Sequence, residues 1–122
     1  MGNYLKTIYL LQQNGSVRGT DIAKEFNVTR PAVAETLVSL MQEGYVEKKD
    51  DRSIALTPAG MAIALEILKR YHCIYEILVR LGVGEETAKK DADGLSYVMS
   101  DESFCAFIAA SPSSLPTKQE VL

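Results

Sequence analysis

The segment over residues 29–41 places the strongest constraint on what this 122-residue chain can fold into. Thr29 is a good helix N-cap, and Pro31 fits the first turn because its missing N–H would have no partner there. Apolar residues then recur at the spacing of one helical face, at Val33, Leu37, Leu40 and Met41. The segment therefore predicts an amphipathic helix that leaves Arg30 and Glu35 on its outer face.

The neighbouring segments place this helix within a specific order of elements. A short amphipathic helix over about residues 19–26 and a turn at Asn27 precede it, and a charged hairpin over residues 46–56 follows Gly44. Helix, tight turn, helix and two-stranded wing form the winged helix-turn-helix, a shape that fits its second helix into the major groove of DNA. This order predicts a DNA-binding regulator.

The distribution of charge supports that prediction although the whole chain is acidic. The net charge is −3, but residues 1–57 carry seven basic and seven acidic side chains, so the excess of acid belongs to the remainder. Phosphates respond to local clusters of cations more than to the total charge. The candidate DNA-binding residues are Arg18, Thr29, Arg30, Pro31, Ala32, Glu35, Lys48, Lys49 and Arg52. An ordinary solvated hairpin tip is the alternative interpretation of the last three.

Apolar periodicity and capping residues predict the remaining helices. The first covers residues 3–13, the fourth runs from Pro58 to about residue 81, the fifth spans about 85–98, and Ser100 caps a sixth. The last helices expose more apolar surface than so short a segment can bury alone, which favours a two-fold dimer. The candidate interface residues, which could instead form an intramolecular core, are Leu95, Phe104, Phe107 and Ile108.

Several classes of protein are disfavoured. No apolar run approaches the length of a membrane span, and the N-terminal residues are too polar for a signal peptide. No nucleophile–base pair, phosphate-binding loop or zinc spacing suggests an enzyme. Cys73 and Cys105 lack a metal spacing and are expected to be buried thiols, so we expect a cytoplasmic protein. The Ser- and Pro-rich residues 111–122 predict a mobile tail.

Short motifs along the chain resemble those of the diphtheria-toxin-repressor family of iron- and manganese-dependent repressors. Besides the helix that contains Pro31, they are NYLKTIY (3–9), DIA (21–23), LTPAG (56–60), RYH (70–72) and VMSDE (98–102). The resemblance covers residues 3 to about 108, and the length is similar to that of the short manganese-regulator branch. It implies a mainly α fold, with a winged helix-turn-helix domain over residues 1–70 and a helical dimerisation domain over 71–110.

The resemblance also implies a homodimer on a double-stranded DNA operator, with Mn²⁺ or Fe²⁺ ordering the join between the domains. His72, Glu76 and Asp93 match ligand positions of the family and are the metal candidates. Asn3, Lys6, Ser96 and Tyr97 depart from the family pattern, which has Asp or Met, then Glu, Glu and His at these four positions.

Chemistry predicts what these departures do. A divalent ion needs several oxygen or imidazole donors and carboxylate charge, and an ammonium group nearby repels it. We therefore expect an eroded metal site in which Lys6 pairs with Asp93 or Glu76 in place of the ion. Without the resemblance, His72 and Glu76 are more typical of a helix-stabilising pair four residues apart than of metal ligands.

Three functions stay open on the sequence. The chain could be a metal-responsive repressor with a weakened site, or a metal-independent regulator of the same fold. It could also be a winged-helix module that binds proteins and has no role at DNA. Salt-dependent binding to duplex DNA separates the third function from the others, and a metal titration separates the first two.

Overall fold

The computed structural model describes residues 1–111, which form six helices and one two-stranded sheet. In chain order the elements are α1 (Gly2–Gln12), α2 (Gly19–Phe26), α3 (Arg30–Gln42), β1 (Val46–Lys48), β2 (Ile54–Leu56), α4 (Pro58–Arg80), α5 (Glu85–Val98) and α6 (Asp101–Ala109). The predicted mainly α fold with a winged helix-turn-helix is confirmed. Except for Ser111, the tail predicted over residues 111–122 lies outside the described residues.

The chain divides into two compact units, Met1–Glu66 and Ile67–Leu122. The division lies within α4, a few residues before the domain boundary expected after residue 70, and that boundary stays a prediction. Within residues 1–111, every helix is too short or too polar to cross a membrane.

The helix-turn-helix forms where its capping residues predict it. α2 ends at Phe26, and the next residue, Asn27, adopts the left-handed conformation with a φ of 56°. Asn is one of the few residues besides glycine that adopts this conformation readily. Thr29 then caps α3, because its hydroxyl accepts a hydrogen bond from the backbone N–H of Ala32 at 3.3 Å. The N-cap predicted for Thr29 is confirmed.

Apolar side chains from α1, α2, α3, α4 and the sheet form the core of the first unit. The buried members include Leu5, Ile8, Val17, Ile22, Val33, Leu37, Leu40, Val46, Ile54, Leu56 and Ala64. Gly60 at the start of α4 packs so tightly that a Cβ there would lie 2.1 Å from the carbonyl oxygen of Tyr45, so only glycine fits. Burial of one face of α3 leaves its opposite face, the one predicted to meet DNA, in solvent.

The core of the second unit joins α4, α5 and α6 around Ile74 and Phe104. Arg70 is nearly buried there, and its guanidinium donates to the main-chain carbonyl of Met99 at 2.6 Å and pairs with Asp101. The same guanidinium lies 4.7 Å from the centroid of the Phe104 ring. Arg70 therefore fastens α4 to the turn between α5 and α6 by charge-assisted and cation–π interactions.

The two cysteines differ in exposure. Cys73 is buried as expected, but Cys105 is exposed, which corrects the prediction of two buried thiols. Phe104 occupies the core-facing position of α6, and the next residue of an α-helix points about 100° further around the axis. Cys105 therefore faces away from the core of its unit.

Candidate nucleic-acid interface and metal residues

The N-terminal part of α3 presents the five residues that were predicted to meet DNA on this helix. Thr29, Arg30, Pro31, Ala32 and Glu35 are all exposed. Arg30 is the first residue of α3, where the helix dipole and unpaired backbone N–H groups favour an anion. Pro31 and Ala32 have small side chains, which lets this end of the helix approach a nucleic acid closely.

The wing is built on the antiparallel pairing of β1 with β2, in which Lys48 lies opposite Ile54. The backbone N–H of Ile54 also donates to the carbonyl of Val17 at 2.7 Å, so the segment before α2 adds a bridge to the sheet. Lys48, Lys49 and Arg52 are exposed, as the sequence predicted. The wing therefore presents three cations from a sheet that is anchored in the first unit.

Asp51 organises the turn between the two strands of the wing. Its Oδ1 accepts hydrogen bonds from the Ser53 hydroxyl at 2.6 Å and from the Ser53 backbone N–H at 2.9 Å. These two bonds hold the pKa of the Asp51 carboxyl below its ordinary value, and the charges of Arg18 and Lys49 act in the same direction. Between them, Arg52 adopts a left-handed φ of 71°. The sequence predicted no role for Asp51 or Ser53, although an Asp side chain that accepts from the backbone N–H two residues later is the pattern of an Asx turn.

Arg18 connects the wing to the start of α2. Its Nη1 donates to the main-chain carbonyl of Asp51 at 2.8 Å, while its backbone N–H donates to Oδ2 of Asp21 at 2.8 Å. The side chain is exposed, so it stands at the surface as well as bridging two elements. A residue predicted only as a DNA contact therefore also links parts of the first unit.

An open groove of about 490 Å³ lies between α2, the outer face of α3 and the wing. Four of the nine predicted DNA-binding residues line it: Arg18, Arg30, Lys48 and Arg52. Its apolar lining includes Leu37, Val38, Met41 and Ile54. The remaining five predicted residues, Thr29, Pro31, Ala32, Glu35 and Lys49, are exposed but are not part of this lining. The tertiary structure thus gathers cations from three separate segments around one groove.

The metal candidates lie on α4 and α5 of the second unit. His72 is exposed, and Glu76 and Asp93 are half-buried. The Tyr97 hydroxyl donates to Oδ1 of Asp93 at 3.3 Å, and the buried Ser96 donates its hydroxyl to the main-chain carbonyl of Asp93 at 2.7 Å. Both positions at which the resemblance implies the Glu and His ligands therefore form hydrogen bonds within α5.

On α1, the two positions at which the resemblance implies metal ligands are Asn3 and Lys6. Oδ1 of Asn3 accepts hydrogen bonds from the backbone N–H of Tyr4 at 3.0 Å and from the amino group of Met1 at 3.5 Å, and Lys6 is half-buried. Within residues 1–111, no three His, Cys, Asp or Glu side chains form a group that could hold a metal ion. The amide of Asn3, the ammonium group of Lys6 and the hydroxyls of Ser96 and Tyr97 are poorer donors than the carboxylate and imidazole groups that Mn²⁺ or Fe²⁺ prefers.

The predicted interface residues differ in how far their own protomer buries them. Phe104 is 7% exposed and belongs to the core of the second unit, whereas Leu95, Phe107 and Ile108 are only partly buried. Val98, which was not predicted, is 77% exposed at the C-terminal end of α5. Helical periodicity alone could not identify Val98, because the exposure of its side chain depends on how the helices pack.

Two protein-family models match this chain one after the other. Residues 1–54 match a model described as the iron dependent repressor N-terminal DNA binding domain. Residues 57–110 match a model described as the iron dependent repressor metal binding and dimerisation domain. Together they cover almost all of the described residues.

Individual relatives agree with the family models. The transcriptional regulator MntR of Salmonella typhimurium is 34% identical over 100 residues, which are 82% of this chain and 64% of that protein, so the chain spans less than two thirds of it. An HTH-type transcriptional regulator of Methanocaldococcus jannaschii is 35% identical over 103 residues, 82% of each chain. A solved manganese-dependent transcriptional repressor in complex with manganese is similar with a TM-score of 0.76 at 26% identity, covering 89% of this chain and 50% of that one.

Proposed function

We propose, because this chain belongs to the iron-dependent repressor family of the diphtheria toxin repressor and the manganese regulators, that it binds duplex DNA and represses transcription. This is a family of transcriptional regulators rather than enzymes, which agrees with the sequence prediction. α3 would enter the major groove, with Arg30 reaching a base edge or a phosphate, while the wing would contact the backbone.

The observation that carries this proposal is the groove lined by Arg18, Arg30, Lys48 and Arg52. These four cations come from three segments of the chain, and within residues 1–111 no acidic side chain is part of the lining. A local cluster of this kind attracts phosphates even on an acidic protein, because charges beyond about 8 Å are largely screened at physiological salt.

The test is binding of the full chain to a duplex enriched from a random-sequence pool, measured by fluorescence anisotropy at several salt concentrations. We expect the logarithm of the affinity to fall linearly with the logarithm of salt, with a slope of about −0.9 for each phosphate neutralised. An absence of salt-dependent binding to any duplex would favour the winged-helix protein-interaction module instead.

We further propose that the protein acts as a homodimer through its second unit. Val98 is exposed, and the partly buried Leu95, Phe107 and Ile108 add apolar surface to α5 and α6. A two-fold dimer would place two recognition helices about 34 Å apart, one turn of DNA.

Val98→Glu should shift the protein towards monomer, because it introduces a charge where apolar surface would be covered. Leu10→Glu is the matched control, since Leu10 is an exposed apolar residue of the first unit. Sedimentation velocity at micromolar concentration measures the change. A wild-type protein that sediments as a monomer, or a Val98→Glu dimer as stable as wild type, would contradict this part of the proposal.

The metal site is proposed to be eroded, so that DNA binding proceeds without Mn²⁺ or Fe²⁺. Support comes from the hydrogen-bonded Ser96 and Tyr97 on α5 and from the absence of a ligand group within residues 1–111. A repressor that keeps a weak response to metal through His72, Glu76 and Asp93 is the alternative, because the domain matched over residues 57–110 is a metal-binding one in the family.

Calorimetric titration of Mn²⁺ and Fe²⁺ into chelator-treated protein, with DNA binding measured in parallel, separates the two. We expect no heat of specific binding and unchanged DNA affinity in chelator. Loss of DNA binding in chelator, with recovery at micromolar Mn²⁺, would establish the metal-responsive alternative.

A further inference from the structure

We propose that Asp51 is a positioning residue for DNA binding, which shapes the wing turn so that Lys48, Lys49 and Arg52 can face phosphates. This inference rests on the proposed function and concerns how the same surface is built. It assigns opposite effects on DNA affinity to two neighbouring acidic residues, Asp50 and Asp51.

Charge alone predicts the same effect for both. Asp50 and Asp51 are exposed and stand between cations at the tip of the wing. A carboxylate beside a phosphate is repulsive, so removing either one should strengthen binding if only its charge mattered.

Hydrogen bonding distinguishes them. Oδ1 of Asp51 accepts from the Ser53 hydroxyl at 2.6 Å and from the Ser53 backbone N–H at 2.9 Å, and Ser53 is only 3% exposed. The backbone closes around this centre, because Lys49 N–H donates to the Ser53 carbonyl at 2.8 Å and Arg52 N–H donates to the Lys49 carbonyl at 2.9 Å. The two donors of these backbone hydrogen bonds, Lys49 and Arg52, are cations of the predicted interface.

The turn is also held from outside the hairpin. Arg18 donates to the main-chain carbonyl of Asp51 at 2.8 Å, and Ile54 N–H donates to the carbonyl of Val17 at 2.7 Å. Arg52 lies between these two attachments with a φ of 71°, a conformation that a non-glycine residue keeps only when its surroundings impose it. The Asp51–Ser53 bonds and the Arg18 link together impose it here.

The test compares three variants of the full chain on the same selected duplex: Asp50→Ala, Asp51→Ala and Asp51→Asn. Asp50→Ala should bind about twofold more tightly, because it removes only a repulsive charge. Asp51→Ala should bind roughly tenfold more weakly and with a shallower salt dependence, because a loosened wing makes fewer phosphate contacts. Asp51→Asn should bind at least as tightly as wild type, because its amide oxygen can still accept from Ser53.

Ser53→Ala provides an independent test without any change in charge, since it removes the 2.6 Å hydrogen bond and keeps the backbone one. It should weaken binding in the same direction as Asp51→Ala, and circular dichroism should show the same helix content in both. If Asp51→Ala binds as tightly as Asp50→Ala, or if Ser53→Ala leaves binding unchanged, the positioning role is wrong. The proposed function fails separately, when the wild-type chain itself binds no duplex.

Discussion

The surface of the first unit that was predicted to bind DNA and the metal positions of the second unit differ in how much of the family pattern they carry. All nine predicted DNA-binding residues are exposed, and four of them line one groove. At the metal positions, Ser96 and Tyr97 replace the implied ligands and form hydrogen bonds within α5.

This difference follows from the chemistry of the two kinds of site. Affinity for DNA is a sum over many phosphate and base contacts, so each residue contributes a fraction. A metal centre needs a set number of donors around one ion, so the replacement of one or two donors weakens it far more. Under the proposed function, this chain would keep DNA binding while the signal that controls it has changed.

The largest expected effect is the restoration of metal control. In the triple variant Lys6→Glu, Ser96→Glu and Tyr97→His, we expect DNA binding about 100-fold stronger with Mn²⁺ than in chelator, or about 2.7 kcal/mol. The variant has carboxylate or imidazole groups at three positions where wild type has Lys, Ser and Tyr, and without the ion a carboxylate at the buried position 96 is unpaired. Anisotropy titrations with Mn²⁺ and with chelator measure the ratio.

Lys6→Glu alone is the control for the triple variant. It should weaken DNA binding and leave it unresponsive to Mn²⁺. Manganese dependence in wild type equal to that of the triple variant would remove the contrast between the two regions.

The next effect concerns Arg30. Arg30→Ala should weaken binding to the selected duplex by about 1–3 kcal/mol if the side chain reads a base edge, with a smaller loss on unrelated sequences. Lys90→Ala removes the same charge from an exposed position on α5 and should leave affinity unchanged. Equal losses in the two variants would show that net charge, and not the position on α3, governs binding.

A smaller and less selective effect is expected from the wing. The double variant Lys48→Ala and Lys49→Ala should weaken all duplexes alike, roughly tenfold, and should reduce the salt slope by about two. A loss confined to the selected duplex would instead assign base recognition to the wing. Titrations at four salt concentrations on selected and unrelated duplexes decide between these outcomes.

The smallest effect is on stability in acid. The pKa of Asp51 is lower in the folded chain than its ordinary value of 3.8, so the unfolded chain binds more protons at low pH. The stabilisation is therefore fully present above that value and is lost as the pH falls through the folded pKa. The melting temperatures of wild type and Asp51→Asn should differ by a constant amount at neutral pH. Below pH 3.8, wild type should lose stability relative to Asp51→Asn. A difference that stays constant down to pH 2.5 would contradict the assignment.

Local signals predicted the elements of this protein well. The second and fifth helices have the predicted bounds, Thr29 and Ser100 cap α3 and α6, and the hairpin lies within the predicted residues 46–56. Capping and periodicity depend on residues within four positions of one another, so they can be read without knowing the fold.

The order of elements, the family and the exposed cations could be predicted from the sequence, because they follow from residue type and short-range spacing. Long-range packing of the folded chain joins Arg18 to Asp51, 33 residues away, and buries Ser53. It also decided that Phe104 is buried while Cys105 and Val98 are exposed. These outcomes depend on which segments pack side by side, and contacts between distant segments produce no periodic pattern in the sequence.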